Sequence, residues 1–284
     1  MTSAALKLFA LFCMTIDHIG AFILVDTTWL RWVGRLSAPI FLFVFVHSLD
    51  LTQNRKNLLK RLYCFNVIMC CVLLLWKSLF KIIIVNNIFA TLFSIVAFIY
   101  VLECISQKKR YWKLLLVLYI IIQIALSVLI LFLHIFDLGT LAIVISSLTA
   151  NIFANEGRLF FVVLGVALYH YKGNKIKYSI AYIILYLFHS SIIMFEISPK
   201  IHSFVENTKI SLLYEGFSLI LGYNFDEPFA VSPFLNHFEW MGILALPFMW
   251  LYNGQEGSKN KYQFYVYYPF HIALLSIIGK VIIN

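Results

Sequence analysis

Ala4-Ala5-Leu6-Lys7-Leu8-Phe9-Ala10-Leu11-Phe12-Cys13-Met14-Thr15-Ile16-Asp17-His18-Ile19-Gly20-Ala21-Phe22-Ile23-Leu24-Val25 is an almost wholly apolar run. It is long enough to cross a bilayer as one helix. Its exceptions are Lys7 near the start and the adjacent pair Asp17 and His18 past the middle. Ionisable groups inside such a span are energetically costly, so they face a protein interior or a watery cavity. Eleven positions separate Lys7 from His18, about three helical turns and roughly 16 Å of rise, which puts the two on nearly one face. That is the layout of a site entered from one side of a membrane.

The rest of the chain repeats the apolar theme. Of its 284 residues 62% are hydrophobic, 17% aromatic and only 12% charged, whereas soluble domains carry about 25% charged residues. The composition predicts an all-α, polytopic integral membrane protein with one membrane-embedded domain over 1–284. No linker, low-complexity tract or tandem repeat divides it. Apolar runs predict nine spans, near 4–25, 32–50, 62–76, 87–105, 114–136, 156–171, 178–195, 239–253 and 262–283. Segments 138–154 and 210–223 are short for full crossings and read as re-entrant or interfacial.

A net charge of +9 raises the question of nucleic acid, and its distribution answers it. Thirteen of the 22 Lys and Arg residues sit in four short loops: Arg55, Lys56, Lys60 and Arg61; Lys108, Lys109, Arg110 and Lys113; Lys172, Lys175 and Lys177; Lys259 and Lys261. Positive charge concentrated in short loops marks the cytoplasmic side. Residues 224–239 contain Asp226, Glu227 and Glu239 and no Lys or Arg, which suits the opposite side. The charge is topology, and nucleic acid is excluded as a partner. Nine spans then give an inside N-terminus and an outside C-terminus in the cell inner or plasma membrane. Lys77 and Lys81 fall on the outer side and snorkel to the interface.

Cys13, Cys64, Cys70, Cys71 and Cys104 fall in apolar segments without zinc-like spacing, and read as packing residues. The first run is too long for a cleaved signal peptide and lacks an A-x-A site. There is no Gly-rich phosphate loop, no G-x-S-x-G and no H-E-x-x-H. No metal is expected, and any chemistry falls to intramembrane side chains. His18 can act as base or nucleophile near neutral pH. Asp17 diverges from it by about 100° around the helix, so Asp17 pairs better with Arg35, in the outer half of the next span. His271 follows Tyr267-Tyr268-Pro269-Phe270, where the proline frees the Tyr265 carbonyl. His47, His134, His170 and His189 read as hydrogen-bonded helix residues. Asn66, Glu103 and Gln123 read as helix-packing glue.

Several blocks in order along the chain resemble the TraX family, predicted membrane acetyltransferases named after a conjugative pilin acetylase. They are Leu6-Lys7-Leu8-Phe9-Ala10, Met14-Thr15-Ile16-Asp17-His18-Ile19-Gly20 and Gly34-Arg35-Leu36-Ser37-Ala38-Pro39-Ile40-Phe41. They continue with Asn87-Ile88-Phe89-Ala90-Thr91-Leu92, Leu251-Tyr252-Asn253-Gly254 and Tyr267-Tyr268-Pro269-Phe270-His271. The Lys-x10-His spacing is also similar to the first-helix motif of acyltransferase-3 membrane enzymes. Region 196–238 departs from the family pattern, and 138–154 looks extended.

The resemblance implies transfer of acetyl from cytoplasmic acetyl-CoA to an acceptor at the membrane. That acceptor is a pilin N-terminal amine in the family's namesake and a sugar hydroxyl in broader relatives. Lys7 would then meet the CoA phosphates. His18 would activate the acceptor or carry the acetyl group, and Arg35 or His271 would stabilise the oxyanion, with Asp17 supporting the site. Two other readings stay open: a small proton-coupled transporter using Asp17 and His18, and a scaffold whose polar residues only join helices. A transporter would favour internal symmetry with paired broken helices, and neither is evident.

Overall fold

The computed structural model describes residues 1–24, 27–80, 87–107, 111–194, 232, 234–235, 237–258 and 261–283. Among them the protein is helical throughout, with no strand. Helix α1 is Ser3–Phe22, started by Thr2, whose side chain accepts from the Ala5 N–H at 3.2 Å. Helices α2 (Thr28–Gly34) and α3 (Ser37–Ser48) form one interrupted traverse, with Pro39 tolerated in the first turn of α3. Helices α4 (Arg55–Phe80), α5 (Ile88–Ser106) and α6 (Tyr111–Ile135) follow, then the short α7 (Gly139–Leu148), α8 (Arg158–Tyr171) and α9 (Lys175–Met194). A 3-10 stretch, Phe238–Ala245, runs into α10 (Leu246–Trp250), and α11 is Lys261–Ile283.

Among the described residues six helices are long and apolar enough to cross a membrane: Ser3–Phe22, Thr28–Leu51, Arg55–Phe80, Ile88–Ser106, Tyr111–Ile135 and Phe264–Ile282. The expected count of nine is not reached by that measure. The other three expected positions hold α8, which has only 14 residues, the Phe238–Trp250 stretch, and α9. Helix α9 carries Tyr178, Ser179, Tyr182, Tyr186, His189 and Ser190, so its apolar character is diluted. The third span, expected over 62–76, is longer than its apolar run, because α4 takes up Arg55 to Arg61 at its start and Lys77 near its end. The segment 210–223 lies outside the described residues, as do Lys81, Lys108, Lys109, Arg110, Asp226, Glu227 and Lys259.

Packing follows membrane rules. On α6 the buried residues include Gln123 and Ser127, while Leu114, Leu118, Ile121 and Ile122 face outward. Polar atoms inside and Leu/Ile outside suit a lipid surround, where buried polar groups must find partners within the protein. Several do: Gln123 Oε1 accepts from Ile152 N at 3.1 Å, and Ser127 Oγ donates to Asn151 Oδ1 at 3.1 Å. Asn66 Nδ2 donates to Ser147 O at 2.6 Å. Glu103 accepts from Arg55 at 3.2 Å and from the Tyr169 hydroxyl at 2.6 Å. These residues are the helix-joining groups the sequence predicts.

The expected short element at 138–154 is α7 with the turn after it. Ala150, Asn151 and Ile152 of that turn are buried against α5 and α6. Helices α7 and α8 are thus two half-length pieces around a buried polar break, an arrangement tolerated at membrane depth only inside protein.

One end of the bundle gathers the N-terminus and two basic loops. Ser3 N donates to Gln255 O at 2.8 Å and Asn253 N to Met1 O at 3.0 Å. Arg55 joins α4 to Glu103 and Tyr169. Lys172 pairs with Asp50, and Lys175 Nζ donates to Trp250 O at 3.3 Å. Lys7, half-buried on α1, lies toward this end.

Candidate functional site

The apolar pattern of α1 buries His18, which is 6% exposed, and α11 brings His271, 3% exposed, against it. Their rings approach with Nδ1 of His18 and Nε2 of His271 2.7 Å apart. The other nitrogen of His271, Nδ1, lies 2.8 Å from the Tyr267 carbonyl oxygen. That carbonyl can only accept, so His271 Nδ1 carries a hydrogen and, in the neutral ring, Nε2 is the acceptor. His18 Nδ1 must therefore be the donor between the rings. The assignment follows from the network and has one chemical consequence: the lone pair of His18 sits on Nε2. Tyr267 stacks on His271 at 4.9 Å and 8°, and its hydroxyl lies 2.6 Å from Thr15 Oγ1. Thr15 spends its own hydrogen on Leu11 O at 2.8 Å, so Tyr267 donates and ties α11 back to α1.

Asp17 points away from His18, as the helical angle requires, and meets two arginines. Arg31 Nη1 is 3.2 Å and Arg35 Nη2 3.1 Å from Asp17 Oδ1. The sequence-predicted pair of Asp17 with Arg35 is present, with Arg31 as an unforeseen third member. Arg35 also holds Glu239 through Nη1, at 2.9 and 3.0 Å, and lies 5.4 Å from the Phe238 ring centroid. Gly34 makes the arrangement possible, since a Cβ there would overlap the Asp17 side chain. Two cations and two carboxylates balance, which offsets the cost of desolvating them. Arg35 is the C-cap of α2 and Leu36 the N-cap of α3, so the expected span over 32–50 is interrupted there.

A third group flanks the histidines. The Tyr268 hydroxyl donates to Glu156 Oε2 in a short bond and accepts from Ile88 N at 3.4 Å. Thr91 Oγ1 donates to Glu156 O at 2.6 Å. The Tyr268 ring lies 6.0 Å from that of His271, edge-on. Glu156 immediately precedes Gly157, whose φ of 69° places it in the left-handed region that glycine adopts without a Cβ penalty.

Of the sequence-predicted site residues, the fold brings His18 to His271 and Asp17 to Arg35. Lys7 stands on the same helix as His18, toward the other end. Arg31, Glu156 and Glu239 were not singled out. The rule that flags an ionisable residue in or beside an apolar run would have caught Arg31 and Glu156, while Glu239 registered only as an outer-side charge. Two other histidines make structural contacts: His47 Nδ1 contacts Phe43 O at 2.8 Å, and His189 stacks on Phe160 at 4.2 Å. Among the described residues no three His, Cys, Asp or Glu side chains converge as metal ligands would.

Comparison with known proteins returns a consistent picture. The chain is 27% identical over 279 residues to the "Probable fimbrial assembly protein FimC, serogroup H1" of Dichelobacter nodosus, covering 95% of this chain and 92% of that protein. No solved structure matches it. The family model described as TraX protein matches residues 2–279, from ahead of Lys7 to beyond His271, and the chain therefore belongs to the TraX family.

Proposed function

We propose that this protein is a membrane acetyltransferase that moves acetyl from cytoplasmic acetyl-CoA to an acceptor amine or hydroxyl at the membrane. The observation that carries the reading is the oriented chain Tyr267 O, His271, His18, which leaves the His18 Nε2 lone pair available in a buried setting. A neutral imidazole so placed is suited to general-base or nucleophilic work. Family membership and the relative's name as a fimbrial assembly protein support an acceptor amine of a fimbrial subunit.

In the direct route, His18 Nε2 takes the proton of the acceptor N–H or O–H. The acceptor atom attacks the thioester carbonyl, and the resulting oxyanion collapses to the acetylated product. The C–S bond breaks, and the sulfur leaves with the proton from His18 as CoA–SH. In the relay route, Nε2 attacks the thioester carbonyl, the C–S bond breaks and CoA departs as the thiolate. The acceptor atom then attacks the acetyl-imidazole, the C–Nε2 bond breaks, and the proton the acceptor loses ends on the CoA sulfur. Both nitrogens of His271 are engaged in the resting chain, so its role is to orient His18. The proposed oxyanion donors are Arg35 and Arg31, whose guanidinium groups Asp17 and Glu239 hold in place. Lys7, roughly 16 Å along α1 from His18, and the basic loops draw the CoA phosphates to the cytoplasmic end, where the N-terminus lies.

The test is turnover of radiolabelled acetyl-CoA by the purified protein, against peptide amines and sugar hydroxyls together. Acceptor-dependent transfer of label supports the reading. Tight donor binding without transfer to any acceptor, or no donor binding, contradicts it.

A further inference from the structure

The buried break between α7 and α8 holds a small cavity unrelated to the histidines, lined by Leu73, Asn87, Ala90, Ile143, Ser146, Ser147, Ala154 and Asn155. Asn87 is 6% and Asn155 7% exposed. Asn87 Nδ2 donates to Asn66 Oδ1 at 2.7 Å, and its Oδ1 has no partner. Asn155 has none on either Oδ1 or Nδ2. Burying an amide without hydrogen bonds costs a few kcal/mol, so two amides bordering one cavity point to a ligand.

The chemistry of the open atoms selects the ligand class. Whichever way the Asn155 amide is turned, it presents one donor nitrogen and one acceptor oxygen. With Asn87 Oδ1 the cavity offers two acceptors and a donor, and no charge. A cation would meet the two oxygens and leave the nitrogen stranded, and an anion would do the reverse. Water serves both, and the space takes about one or two water molecules.

We propose that a buried water bound between Asn87 and Asn155 clamps the α7–α8 break to the start of α5. Its position has a further consequence. Asn155 precedes Glu156 and Asn87 precedes Ile88, and these are the two residues whose polar atoms hold the Tyr268 hydroxyl. Water on one side and Tyr268 on the other close a ring that fixes the depth of α11, one turn from His271. The clamp does not depend on the acetyl-transfer reading.

The test is radiolytic hydroxyl-radical labelling in H2 18O, with mass spectrometry of the full-length protein in detergent. Leu73 borders the cavity, whereas Leu58 and Leu92 do not, and all three are 5% exposed. Bound water generates radicals on the spot, so Leu73 should be labelled several-fold more than Leu58 and Leu92. In Asn155→Leu the excess should vanish. Equal labelling of the three leucines in the wild-type protein overturns the proposal, whether or not the variant folds. Thermal stability should be the same in sodium, potassium and choline chloride. Stabilisation by sodium alone would overturn water in favour of a cation.

Discussion

At His18 the property that matters is which ring nitrogen holds the hydrogen, and His271 decides it. His271→Ala removes the acceptor of the His18 Nδ1–H but leaves Nε2 in place, and a water can take over part of the orienting role. The expected loss in kcat is smaller than the roughly 10²–10⁴-fold attached to a missing general base, read by steady-state kinetics at saturating donor. Lys7 lies toward the other end of α1. Lys7→Ala should raise KM for acetyl-CoA more than it lowers kcat, and Lys7→Arg should keep most of the donor affinity, because either cation pairs with phosphate. Unchanged donor affinity in Lys7→Ala, measured by calorimetry, would remove Lys7 from the donor site. The sequence exposed His18 and Asp17 as polar residues in an apolar run. The Asp17–Arg35 pair was legible too, but the contact of His18 with His271, 253 positions away, and that of Arg35 with Glu239, 204 away, were not. Hydrophobic periodicity says that such a group is costly, not which distant residue relieves the cost.

At the scale of elements, the close approach of α1 and α2 rests on Gly34. Gly34→Val forces a branched side chain into Asp17, and the expected destabilisation is about 1–3 kcal/mol, seen as a lower thermal midpoint in detergent. Glycine tolerance of that contact was not legible from composition, though Gly34-Arg35-Leu36-Ser37-Ala38-Pro39 stood out as a block. Long apolar helices such as α1, α5 and α6 were legible because twenty or so apolar residues have few other uses. Elements with mixed faces were harder. Helix α9 turns Tyr178, Tyr182 and Tyr186 into the core, and the α7–α8 break is held by polar side chains from α4, α5 and α6. Glu156 sits in that break, at the edge of an apolar run, where a solvent-facing loop and a buried turn look alike.

The whole molecule has one end where the N-terminus, the start of α4 at Arg55, the turn into α9 at 172–175 and the 251–257 loop meet. Loop basicity predicts that this end faces the cytoplasm. Single cysteines introduced at 55–61, 108–113, 172–177 and 259–261, in a background lacking the five native cysteines, should react only with permeant reagents in intact cells. Labelling of any of these loops by an impermeant reagent would reverse or break the topology, and with it the route of acetyl-CoA to His18. Helix α1 carries both Lys7, toward that end, and the buried His18 imidazole, and the account turns on that imidazole. The decisive measurement is acetyl transfer by His18→Ala, in protein whose insertion and thermal midpoint match the wild type. Transfer should fall to background while acetyl-CoA still binds; near-normal transfer would contradict the account.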